Sequence, residues 1–167
     1  MPVINRLPQG GGVNAKGFIV TPWFVKGQVY NTDVFGLPQF YAQQNGRVNS
    51  STYATDGYIH ANYTSAGYSS VMVSTGNYLP RTYDFALIRL KHIRIASANY
   101  ALGFGTSTTY QDTTRRQYRW SNTDANYDYW LTIPLDVVNP LNVNEYLSIG
   151  GSSEYYIYEI YFMKAKV

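Results

Sequence analysis

Apolar and polar positions alternate along this chain in short runs broken by turn residues. In Phe85-Ala-Leu-Ile-Arg-Leu-Lys-His-Ile-Arg-Ile95, Ile88 and Leu90 alternate with Arg89 and Lys91, the two-residue period of a strand with one buried face. Ile93 and Ile95 fall on the opposite parity. One extra residue near Lys91-His92 would restore a single buried face, which predicts a β-bulge or a sheet-corner bend there. Leu131, Ile133, Leu135 and Val137 alternate without interruption, and Pro134, having no N–H for a ladder, marks that strand as an edge or a bulge. In the closing run, Tyr156, Tyr158, Ile160 and Phe162 take one parity. Tyr155, Ile157, Tyr161 and Met163 take the other, with Glu159 alone polar. A strand apolar on both parities is central under a packed outer layer, or docks its outer face on another protein.

Shorter runs complete the pattern. Phe18-Ile19-Val20 and Trp23-Phe24-Val25 read as two strands split by Thr21-Pro22, and Asn31 to Gln44 as loop with a helical turn. Tyr58–Ala61, Tyr68–Ser74, Tyr100–Phe104, Gln117–Trp120 and Tyr146–Ile149 read as strands, with polar or Gly-rich turns such as Asn62–Gly67, Gly76-Asn77 and Gly150–Ser153 between them. No segment sustains ten residues of helical periodicity. About ten short strands at spacings of roughly 8–12 residues predict an all-β fold, an antiparallel β-sandwich or jelly roll. Residues 1–17, with Pro2, Pro8 and Gly10-Gly11-Gly12, form an extended N-terminal arm, and residues 18–167 a single domain. Such an arm gains order only by lying against the domain or a neighbouring subunit.

The chain has 167 residues, enough to bury a core without staples. It contains no cysteine, so disulfides, thiolate metal sites and thiol nucleophiles are excluded. No apolar run reaches the ~20 residues of a helical membrane span, and the start lacks the basic and apolar regions of a signal peptide, so neither membrane insertion nor secretion is expected. Tyrosine is the dominant signal: 18 Tyr stand beside 3 Trp and 7 Phe, against 14% charged residues. Strand propensity and core packing absorb about half of them. The remainder belong on outward faces where a ligand or partner covers them.

Charge is uneven. Residues 1–119 hold 11 Lys/Arg against 4 Asp/Glu, and residues 120–167 hold 2 against 6, within a net charge of +3. Arg81, Arg89, Lys91 and Arg94 with Arg115, Arg116 and Arg119 would suit a nucleic-acid backbone. Strand alternation instead assigns Arg89, Lys91 and Arg94 to a solvated face beside acidic C-terminal strands, so no nucleic-acid partner is expected.

Catalytic signatures are missing. His60 and His92 are the only histidines, without HExxH or a third ligand, and are assigned to local hydrogen bonds on strands. There is no GxSxG elbow or Walker A loop, and Gly103-Phe-Gly-Thr-Ser107 is a turn rather than a phosphate cradle. Asp124 with Asp128, or Glu154 with Glu159, would be the acid pairs of a polysaccharide hydrolase, the least favoured of three readings. Asp124-Ala-Asn126-Tyr-Asp128 offers oxygens at alternate positions, as a calcium loop does. It has Tyr129 and Leu135 where an EF-hand needs Gly and Glu, so a polar turn is expected, with no metal and no cofactor.

Sugar recognition needs aromatic faces beside amides and carboxylates. Trp120, Asn122, Asp124, Asn126, Tyr127, Asp128 and Trp130 gather those types on one stretch. Trp130 has the parity opposite to Leu131 and Ile133 and is expected to face away from the core.

Several runs carry a broader likeness: Leu7-Pro-Gln-Gly-Gly-Gly12, Phe24-Val-Lys-Gly-Gln-Val-Tyr30, Tyr83 to Leu90 leading to Leu102-Gly-Phe-Gly-Thr-Ser107, and Tyr146 to Ser152 before Ile157 to Tyr161. In strand and turn pattern the chain resembles the small jelly-roll virion structural proteins of tailed bacteriophages, whose modules are of the carbohydrate-binding kind. The resemblance implies a non-enzymatic component of the tail, neck or head surface. It would sit in the virion, with other virion proteins and copies of itself as partners. Leu7, Pro8, Gly10, Gly11, Gly12, Tyr155 and Tyr161 are then the expected assembly surface. The alternative is a glycan-binding receptor-recognition module of a phage tail or fibre, its partner a host cell-surface glycan. Such folds host many functions.

Overall fold

The computed structural model describes residues 17–43, 47–62, 68–74, 83–94, 100–105, 116–120, 128–134, 146–151 and 154–167. In chain order the elements are β1 (Phe18–Val25), β2 (Gln28–Val29), α1 (Thr32–Phe35), β3 (Gln39–Gln43), β4 (Arg47–Val48), α2 (Tyr53–Asp56), β5 (Ile59–Asn62) and β6 (Tyr68–Ser74). They continue with β7 (Phe85–Arg94), β8 (Tyr100–Gly105), β9 (Arg116–Trp120), β10 (Asp128–Pro134), β11 (Tyr146–Gly151) and β12 (Glu154–Ala165). All the pairings are antiparallel. One sheet runs β10-β7-β12-β1-β2, with β5 and β4 beside the first half of β12. The other runs β3-β6-β11-β8-β9. The protein is an antiparallel β-sandwich, as the alternation predicts, and the arm at 1–16 lies outside the described residues.

The core lies on one face of the first sheet. Ile59 and Ala61 of β5, Ala86, Ile88 and Leu90 of β7, and Tyr155, Ile157, Ile160 and Phe162 of β12 are buried there. Phe35 of α1 plugs into the same cluster, its ring 4.7 Å from that of Phe162, and Phe40 of the second sheet packs against it. Each fully buried large apolar side chain of this kind contributes roughly 1.5–3 kcal/mol.

Three register shifts let the sequence present this face. In β1, Pro22 pairs with Tyr161 and Phe24 with Ile160, leaving Trp23 as an extra residue. The two runs predicted as separate strands are therefore one strand with an irregularity at its centre. That irregularity is why adjacent Trp23 and Phe24 are both buried. Trp23 is held there: its indole N–H donates to the Gly36 carbonyl at 3.0 Å, and its own carbonyl accepts from the Tyr30 amide. In β7, Arg94 pairs with Glu154 and His92 with Tyr155, so the predicted bulge exists, centred on Ile93. In β12, Ile157 pairs with Leu90 and Glu159 with Arg89, leaving Tyr158 as the extra residue.

The irregularity at Tyr158 corrects the alternation expected for the closing run. Before it, Tyr155 and Ile157 point into the core; after it, Ile160 and Phe162 do. β12 is central, as a strand apolar on both parities should be. Tyr155, expected at an assembly surface, is instead 1% exposed. It is core because the extra residue lies downstream of it and leaves it in phase with Ile157. β10 lies at the end of its sheet, with Pro134 its last residue, in keeping with the missing N–H.

Candidate functional site

The opposite face of the first sheet collects the polar and aromatic side chains that the core excludes. Ile59 and Ala61 are buried, so Tyr58 and His60 project outward on β5 and its approach. The same alternation sends Tyr156 outward between Tyr155 and Ile157, and Arg89 between Ile88 and Leu90. The extra residue in β12 then adds Tyr158, Glu159 and Tyr161 to this face, and Trp130 arrives on β10 opposite Arg89.

At one end, Tyr58 and Tyr156 stack with centroids 4.4 Å apart at 21°. His60 stands edge-on to Tyr156 at 4.7 Å, and its Nε2 lies 2.8 Å from Glu154 Oε1. Tyr158 makes edge contacts with both Tyr58 and Tyr156. Along the strip, the Arg89 guanidinium lies over the Tyr158 ring, 5.3 Å from its centroid, an arrangement that attracts a cation to the π face. The same guanidinium donates Nε–H and Nη2–H to the two oxygens of Asp128, at 3.2 and 2.8 Å, and Nη1–H to Glu159 Oε1 at 3.2 Å. The Tyr161 hydroxyl donates to Glu159 Oε2 at 2.5 Å, and Trp130 lies 6.2 Å from the Tyr161 ring, tilted 36°. Five steps of β12 separate Tyr161 from Tyr156. At ~3.3 Å per residue that is a platform of roughly 16 Å.

Electrostatics keep the strip neutral at its rings and ionic between them. The hydrogen bond to Asp128 raises the Arg89 pKa further, so its charge is fixed. Burial, then the bond to Glu159, pushes the Tyr161 phenol well above its ordinary range. Burial also raises Tyr156 and Tyr158. All three phenols are protonated at neutral pH and can both donate and accept. Among the described residues no group of three or more His, Asp or Glu is arranged to hold a metal ion.

Two residues of the predicted sugar loop, Asp128 and Trp130, lie on this strip. Trp130 has the outward parity expected of it, although it is largely covered by its neighbours rather than projecting freely. Asn122, Asp124, Asn126 and Tyr127 lie outside the described residues, as do Leu7, Pro8, Gly10, Gly11 and Gly12. Trp120 is described only as the last residue of β9, in the second sheet. Tyr161, expected at an assembly surface, belongs to the strip. Sequence reading missed Tyr58, Tyr156, Tyr158, Arg89 and Glu159 as site residues. The signal available was the outward parity of Tyr58, His60 and Arg89 on strands that turn out to neighbour β12. The Arg89 prediction of a solvated face beside acidic strands is realised in its pairs with Asp128 and Glu159.

No protein-family model matches the chain, and no curated protein matches it in sequence. Several solved structures share its fold. A family 11 carbohydrate-binding module from Clostridium thermocellum, in complex with a β-1,3-1,4-mixed-linked tetrasaccharide, superposes with TM-score 0.51 at 13% identity, over 87% of this chain and 96% of that one. A variant of a family 29 carbohydrate-binding module complexed with mannohexaose gives TM-score 0.52 at 9% identity, over 89% and 93%. A family 29 module from Piromyces equi gives 0.52 at 7%, over 87% and 90%. At such identities the likeness is one of fold. This chain has the β-sandwich fold seen in these carbohydrate-binding modules.

Proposed function

We propose that this chain is a non-catalytic carbohydrate-binding protein whose ligand lies along the outer face of the first sheet. The observation that carries the reading is the strip of Tyr58, Tyr156, Tyr158, Tyr161 and Trp130, outside the core and interleaved with Arg89, Asp128, Glu154 and Glu159. Aromatic faces receive the apolar side of a pyranose ring, and fixed carboxylates accept from its hydroxyls. The fold shared with oligosaccharide-bound modules supports it.

The test is titration calorimetry with the mixed-linked β-1,3-1,4 tetrasaccharide and mannohexaose, beside retention on a panel of immobilised neutral and acidic polysaccharides. Binding by the native chain and its loss in Tyr158→Ala and Trp130→Ala, both still folded, is the expected result. A native chain that no polysaccharide retains would end the proposal, as would binding that survives both substitutions. The narrower reading, that this binding serves a phage virion, is supported by the sequence resemblance alone. Mass spectrometry of purified particles would test it.

A further inference from the structure

The donors of Arg89, a cation within the strip, are directed into the protein. Nε and Nη2 go to Asp128, Nη1 goes to Glu159, and the guanidinium carbon lies over the Tyr158 ring, 5.3 Å from its centroid. Two carboxylates thus surround one positive charge. Glu154, beside His60, adds a third further along. Lys91 and Arg94 lie on the same strand, Lys91 with Asp128 and Tyr156 as its register partners and Arg94 with Glu154, so the excess of carboxylate is local to Arg89.

We infer that Asp128 and Glu159 set the charge specificity of this face: they neutralise Arg89, so the site takes uncharged sugars and refuses acidic ones, and their removal uncovers an anion site at the guanidinium. The inference rests on the glycan-binding reading for its ligand, but the latent anion site does not. The physical reason is a competition for the same N–H groups. Arginine holds a carboxylate through two parallel donors, and here Asp128 already occupies that fork. A uronic acid approaching it meets two fixed negative charges against the one positive charge of Arg89, and so a net repulsion. At about 5 Å through water-like screening, each of these negative charges weakens binding by about fourfold. Neutral hydroxyls meet acceptors held in place, with no charge to repel.

The experiment compares the native chain with Asp128→Asn/Glu159→Gln, and with the same pair carrying Arg89→Ala. Mannohexaose is the neutral probe and polygalacturonate the acidic one. The native chain is expected to prefer the neutral probe. In the double variant, affinity for polygalacturonate rises on the order of tenfold, falls with added salt, and disappears with Arg89→Ala. Because Glu159 is nearly enclosed, Asp128→Asn alone, which empties the exposed side of the fork, serves if the double variant is unfolded by circular dichroism; it should show the smaller gain. Tight binding of polygalacturonate by the native chain overturns the inference. So does a folded variant, double or single, that gains nothing. A native chain that binds neither probe defeats the glycan reading, while the salt-sensitive gain in the variant still decides whether the anion site exists.

Discussion

Tyr155 and Tyr156 are adjacent, identical and on opposite faces of β12, so truncating each in turn separates the core from the platform. Tyr155 is 1% exposed within the main cluster. Replacing a buried aromatic of this size by alanine costs about 3–5 kcal/mol, through lost transfer free energy and the cavity left behind. For a domain of this size, each kcal/mol lowers the melting temperature by about 2–4 °C, so Tyr155→Ala should melt about 6–20 °C lower. Tyr156 is half-buried and holds chiefly the stacked ring of Tyr58 and the edge of His60. Aromatic pairs of that kind are worth about 0.5–1.5 kcal/mol beyond their area. Tyr156→Ala should therefore lose about 1–2 kcal/mol and melt only a few degrees lower, while weakening sugar binding. Differential scanning calorimetry at one pH, with reversibility checked by rescanning, reads both. Equal losses, or a larger loss for Tyr156→Ala, would refute the assignment of faces and with it the irregularity at Tyr158 that fixes their phase.

Three further predictions follow from local geometry. Gly27→Ala should destabilise by more than about 1 kcal/mol by chemical denaturation, because φ is +89° and a Cβ would sit 2.8 Å from the Ala54 carbonyl oxygen. Gly17→Ala, with open space around it, separates the backbone effect from the clash. Hydrogen bonds from Asn49 and then Thr52 hold the Asp56 pKa below its ordinary 3.8. Its stabilising contribution is therefore present above pH ~4 and lost as pH falls through the lower folded value, so the loss of melting temperature in Asp56→Asn should be greatest near pH 7 and shrink steadily as pH falls below ~4. In a spectrophotometric titration of the folded chain, Tyr161→Phe should remove a phenol that ionises only at the alkaline extreme; removal of an early-ionising component would contradict its burial against Glu159.

The fold was legible because it depends on period. β6, β7, β8 and β9 begin and end within one residue of the runs predicted for them, and β11 runs two residues past its own into the predicted Gly150–Ser153 turn, since alternation and turn residues are local properties. Two-residue strands such as β2 and β4 were not readable, being too short to show a period. The irregularity at Ile93 could be placed to within two residues because isoleucines on both parities expose the phase change. The one at Tyr158 was hidden because every residue around it except Glu159 is apolar or aromatic, so neither phase leaves an error in the pattern. That is also why the platform was missed. Which tyrosines share a face depends on the phase of β12 and on its having β5 and β7 as neighbours, a property of strand order that no local run contains. The outward parity of Trp130 was readable because Leu131 and Ile133 fix the phase of β10.

The extra residue in β12 also changes what the neighbouring hairpin can tolerate. Beside it, β5 has ended its pairing at Ile157 and β1 begins its own at Glu159, so the carbonyl of Tyr158 falls between two strands. The Lys26 amide takes it, at 2.9 Å, while Gly27 presses against the backbone of α2. A two-residue turn at the end of a hairpin would ordinarily be the obvious place to open the chain for circular permutation or to splice in a tag. Here it is a keystone closing a gap in the sheet, and new termini at Lys26-Gly27 would free the Tyr158 carbonyl and the backbone of α2 from the end of β1 at once.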